Sequence, residues 1–99
     1  MDKQNNYNEL SGYWAMTRNE RAQHDDRLLD PQRLQRMSLE RRKNYLEMLH
    51  VHTLMGSDIT QRMLRNPAYT AYKEHLQDVL DDLSHRQERL LQLIEKSET

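Results

Sequence analysis

From Tyr69 to Leu93 neither glycine nor proline interrupts the chain, and apolar side chains recur at heptad spacing. Tyr69, Leu76, Leu83 and Leu90 fall seven apart, with Tyr72, Val79 and Leu93 interleaved. That spacing gathers them on one face of a helix, and a helix with such a face must bury it against another helix. Leu80, Leu91 and Ile94 lie beside the seam and widen it beyond a strict two-stranded coiled coil. Arg86 sits on the seam itself. Its stem is long enough to cover apolar neighbours while its head reaches water or an acidic partner, so it is expected to set register.

Two pairs punctuate the chain, Asp30-Pro31 and Asn66-Pro67. Asp and Asn are favoured N-caps, and proline is favoured in the first helical turn, where its missing N–H costs nothing. Both pairs are therefore expected to start helices. Between them, Leu34, Met37, Tyr45, Met48, His52, Met55, Ile59 and Met63 recur at steps of three and four, with Arg41 bridging one double step. A partial second row of Leu39, Leu46, Leu49 and Leu64 widens the apolar arc to suit more than one neighbour. At Gly56-Ser57-Asp58, Asp58 with Gln61 resembles a capping box, so a break or kink is expected there. The alternative is a continuous helix in which Gly56 admits a close neighbour.

Residues 1–16 read as a polar tail carrying an aromatic anchor, Tyr13 and Trp14. Thr17 and Glu20 match a capping box for a short helix. The expected helices span about 18–29, 31–65 with the break at 56–58, and 67–96, within one helical domain of 17–99. At about 1.5 Å per residue the two long ones would measure about 45–50 Å.

Composition agrees with this organisation. The 99-residue chain has a mean hydropathy of −1.13 and 35% hydrophobic residues. It lacks phenylalanine, and valine and isoleucine together number four. Such a chain is expected to share narrow helical seams, not to close around a thick core. Without cysteine there is no disulfide or thiol chemistry, in agreement with a reducing compartment. No charged start leads into an apolar run, and no stretch approaches about eighteen apolar residues. A cytoplasmic address without membrane insertion is the expectation.

Fifteen basic and sixteen acidic residues nearly cancel, but they are unevenly placed. Residues 31–66 hold seven basic and three acidic groups, whereas 67–99 hold four and seven. Arg33, Arg36, Arg41, Arg42 and Lys43 form the densest basic stretch. In an antiparallel hairpin they would meet Glu88, Glu95 and Glu98; otherwise they could contact nucleic-acid phosphates. Asp78, Asp81 and Asp82 find no cation in that hairpin and are expected to be solvated, or answered by a second chain. His50 and His52 point to opposite sides of a helix, and no histidine set shows zinc spacing, so neither metal nor cofactor is expected. With no glycine-rich phosphate loop or nucleophile motif, catalysis is not expected.

The expected architecture is all-α: a long antiparallel, coiled-coil-like helical hairpin with a short N-terminal helix, completing a bundle as a homodimer or with another protein's helix. The expected function is a non-catalytic protein–protein interaction module, an adaptor, escort chaperone or small regulator. Its partner-binding candidates are Tyr13, Trp14, Met37, Met48, His52, Met55, Met63, Leu76, Leu83 and Leu90. The methionines belong to this set because flexible, polarizable side chains suit surfaces that accept varied helices. The rival expectation is a dimeric nucleic-acid-binding regulator using the basic face at 33–43.

Overall fold

The computed structural model describes residues 10–97; residues 1–9 of the expected tail, and 98–99, lie outside it. Among the described residues every regular element is helical, as the sequence led us to expect. A 3-10 turn at Gly12–Ala15 precedes α1 (Arg18–Leu28), α2 (Pro31–Gln35) and α3 (Leu39–Arg65); a second 3-10 segment, Pro67–Tyr72, leads into α4 (Lys73–Ser97).

Local chemistry sets these boundaries. The Thr17 hydroxyl accepts from the Glu20 N–H while the Glu20 carboxylate accepts from the Thr17 N–H, closing the capping box of α1. Asp30 and Asn66 accept from backbone N–H groups two residues on, each just ahead of its proline. Three boundaries depart from expectation, one of them at Pro67–Tyr72, where a 3-10 segment with Tyr69 outside helical geometry replaces the first turns of the helix expected at 67–96. The helix expected to run from 31 to 65 is interrupted at Arg36–Ser38, because the Ser38 side chain accepts from the Arg41 N–H and starts a new helix there. The break expected at 56–58 is absent, and α3 is continuous for 27 residues through Gly56.

The interior explains that continuity. A Cβ at Gly56 would lie 3.7 Å from both terminal methyls of Leu83, so the glycine sits where α4 passes closely. Gly56 faces Leu83 and Thr53 faces Arg86, so α3 and α4 run in opposite directions along their contact. At one end Leu29, Leu34, Leu46, Leu49 and Leu90 form an apolar cluster, with Met37, Tyr45, Leu93 and Ile94 partly buried against it. Each buried leucine of this kind contributes about 1.5–3 kcal/mol. Leu76, Val79 and Leu83 continue the buried face of α4 towards its start.

Helix α1 docks by a different force. Its sequence from Arg18 to Leu28 offers only Ala22 and Leu28 as apolar residues. What it offers α4 is a series of charges. Arg18 meets Asp78, Arg21 meets Asp82, Asp25 meets Arg86, and Asp26 meets Arg89. The partners advance together along both helices, so α1 runs parallel to α4. The sign of the charges reverses halfway along each helix, so a shift of about one turn in either direction would bring like charges together. Asp78 and Asp82, expected to be solvated or met by a second chain, are thus answered within this one.

Candidate functional site

Beyond Leu46 and Leu49, the face of α3 that meets α4 turns from leucine to small and polar residues. Thr53 and Thr60 are fully buried there, with Gly56 between them. Both threonines are satisfied in both directions. Thr53 donates to the Leu49 carbonyl at 2.7 Å and accepts from Arg86 Nε at 3.0 Å. Thr60 donates to the Gly56 carbonyl at 2.7 Å and accepts from the Trp14 indole N–H at 2.9 Å.

Arg86 is the centre of this polar interior. Its Nη1 donates to Asp25 Oδ1 at 2.9 Å, and its guanidinium lies 4.9 Å from the centroid of the Tyr13 ring. The Tyr13 hydroxyl donates to the other oxygen of Asp25 at 2.7 Å. Burial first, and then this hydrogen bond to a carboxylate, push the Tyr13 phenol well above its ordinary range. Arg21, 1% exposed, donates to Asp82 at 2.7 Å and to the Met16 carbonyl at 2.6 Å. A ring nitrogen of His75 hydrogen-bonds the Trp14 carbonyl. The arm from Tyr13 to Leu28 is therefore held by directed polar contacts, some within the arm itself and the others to Thr60 on α3 and to Asp82, Arg86 and His75 on α4. Arg86 was legible as a seam residue; Arg21, Asp25, Thr53 and Thr60 carried no periodic signal that would have singled them out.

With the threonine face turned inwards, the methionine row of α3 turns outwards. Met48 is 47% exposed, Met55 56% and Ile59 41%. His52 shares this exposure, and Val51 and Leu54 flank the row. The steps from Met48 to His52, Met55 and Ile59 are four, three and four, which makes a straight apolar stripe roughly 16 Å long. Val51, Leu54 and Ile59 join the surface although they stood outside the expected site set.

The other expected site residues divide among three places. Leu76, Leu83 and Leu90 lie in the chain's own core at 0%, 2% and 0% exposure. Tyr13, Trp14, Met37 and Met63 are half-buried, the first two in the docked arm. The basic residues gather where α2, the start of α3 and the end of α4 meet. There Arg33 stacks over the Tyr45 ring at 5.4 Å. Among the described residues Arg33, Arg36, Arg41, Arg42 and Lys43 form no ion pair, and the expected pairing with Glu88 and Glu95 is not made. Glu88 and Glu95 stand on the exposed side of α4, out of reach across the helix pair.

No protein-family model, curated protein or solved structure matches the chain. No helix among the described residues is long and apolar enough to cross a membrane.

Proposed function

We propose that this protein is a non-catalytic interaction module, an adaptor, escort or small regulator, whose helical hairpin presents the outer face of α3 to a helix of a second copy. The observation that carries this reading is the exposed stripe Met48–His52–Met55–Ile59 on a face of α3 turned away from Thr53 and Thr60. Contiguous exposed apolar surface on a small protein marks an interaction site. The four-three-four spacing reads the same from either end. A two-fold axis between Thr53 and Leu54 therefore sets Met48 opposite the second copy's Ile59, and His52 opposite its Met55. The resulting four-helix arrangement is coiled-coil-like and buries a stripe that one chain leaves open.

Sedimentation equilibrium over a micromolar concentration series tests this. The wild type is expected to dimerise, and Met55→Glu is expected to give a monomer of unchanged helix content. A wild type that stays monomeric overturns the second copy as occupant. If Met55→Glu also leaves every stoichiometric partner in a native pull-down unchanged, the α3 face is not an interaction site.

A second reading rests on the unpaired cations at 33–43: contact with nucleic-acid phosphates from the dimer. Retention on an oligonucleotide column that falls steeply with salt, and is lost on Arg41→Gln with Lys43→Gln, would favour it.

A further inference from the structure

We propose that Met48 and Met55 are a reversible oxidation site, through which a peroxide releases the two-fold contact between copies. The inference rests on that contact, because oxidation acts by preventing burial of the stripe. Met48 and Met55 are 47% and 56% exposed and lie seven residues apart, so both thioethers stand on the stripe, open to solvent. Met16, Met37 and Met63 are half-buried. The chain has no cysteine, whose thiolate would otherwise compete for the oxidant.

A peroxide gives one oxygen atom to each thioether. Its O–O bond breaks, an S–O bond forms, the sulfur is oxidised, and the peroxide leaves as water or an alcohol. The side chain turns from apolar to polar. In the two-fold contact Met48 lies opposite the second copy's Ile59, which has no donor, and Val51 and Leu54 flank the row with none either. A sulfoxide oxygen buried there would lose its water and gain no hydrogen bond, and such an acceptor is costly. The oxidised face therefore stays in water and the chain stays single. Leucine would fill the same positions with better-defined rotamers, so the reactivity of sulfur is what sets methionine apart there. The dimer in turn shields both sulfurs, so oxidation acts on the free chain. A sulfoxide reductase restores the stripe, removing the oxygen as water while two thiols close to a disulfide.

The full-length protein is treated with hydrogen peroxide at concentrations below and above its dimer dissociation constant. The tryptic peptide of residues 44–62 contains both methionines and no other, so mass spectrometry reads their oxygen uptake directly. This peptide is expected to be oxidised before Met37 and Met63, and more slowly as rising protein concentration fills the dimer. Sedimentation equilibrium is expected to show dimerisation weakened about tenfold or more, the loss expected of one buried unpaired acceptor. Circular dichroism is expected to be unchanged, and methionine sulfoxide reductase with a dithiol to restore the dimer. Met48→Leu with Met55→Leu is expected to dimerise as the wild type does, and to go on doing so after peroxide. An oxidised wild type that dimerises as before, or a double-leucine variant that dissociates under peroxide, overturns the site and leaves the α3 contact standing. Loss of helix content on oxidation overturns it too, as damage to the fold. An untreated wild type that is monomeric at every concentration overturns the contact itself, and the site falls with it.

Discussion

Asp25 on α1 and Arg86 on α4, 61 positions apart in the chain, form a 2.9 Å ion pair with side-chain exposures of 7% and 10%. The pair lies between Tyr13 on one side and Thr53 on the other, so both charges are hydrogen-bonded as well as neutralised. Removing one member strands the other. Asp25→Ala is therefore expected to destabilise the fold by about 3–5 kcal/mol in urea denaturation. The double change Asp25→Leu with Arg86→Met removes both charges and is expected to recover most of that loss. A single substitution costing under about 1 kcal/mol would show that the charge is not truly buried.

Tyr13 gives the protein an alkaline limit. Burial and the bond to Asp25 favour the neutral phenol, so its folded pKa lies above the unfolded value of 10.0. The stability that goes with this is fully present below about pH 10 and declines as pH rises towards the folded value. Tyr13→Phe is expected to lose about 1.5–3 kcal/mol near neutrality, the worth of a hydrogen bond to a charged group. Its stability is then expected to fall less steeply than that of the wild type between about pH 10 and 11. Parallel curves in urea melts would remove Tyr13 as the cause.

Gly56 is helical, with ordinary backbone angles, and an added methyl would make normal van der Waals contact with Leu83. Gly56→Ala is therefore expected to stabilise α3 by about 0.5–1 kcal/mol, read as a raised melting temperature. Gly56→Leu has no such room and is expected to lower it. If alanine proved strongly destabilising, the α3–α4 spacing would have to be tighter than described.

Trp14 is the sole tryptophan, so its emission reports the docked arm directly. Thr60→Val keeps the shape but removes the acceptor for the indole N–H. A red-shifted emission and a loss of about 1–3 kcal/mol are expected. An unshifted spectrum would mean that the arm is held without this bond.

Much of the framework is written in short signals. The Thr17–Glu20 capping box, the two cap–proline pairs and the seam from Leu76 to Leu90 all appear at their expected places. The face of α3 was not legible. Hydrophobicity marks the row through Met48, His52, Met55 and Ile59 as the packing face of α3, yet it is Thr53, Gly56 and Thr60 that turn inwards. Their small polar side chains fit what approaches them: the Leu83 methyls, the Arg86 guanidinium and the Trp14 indole. Periodicity within α3 cannot anticipate those neighbours, since they come from α4 and from a turn more than 30 residues upstream. The docking of α1 was hidden for a related reason. Its affinity for α4 lies in matching charges about 60 residues apart, and a hydrophobic pattern does not record them.

The parallel charge ladder between α1 and α4 also fixes an order of events during synthesis. Asp25 leaves the ribosome 61 residues ahead of Arg86, an interval of roughly 3–12 s at ordinary elongation rates. Until Asp78 is made, α1 lacks the counter-charges that α4 will bring, and its own composition gives it little apolar reason to collapse on anything else. The charge ladder is therefore complete only once the second half of α4, with Arg86 and Arg89, has been made. A step that needs charge neutralisation to finish is one that salt can slow.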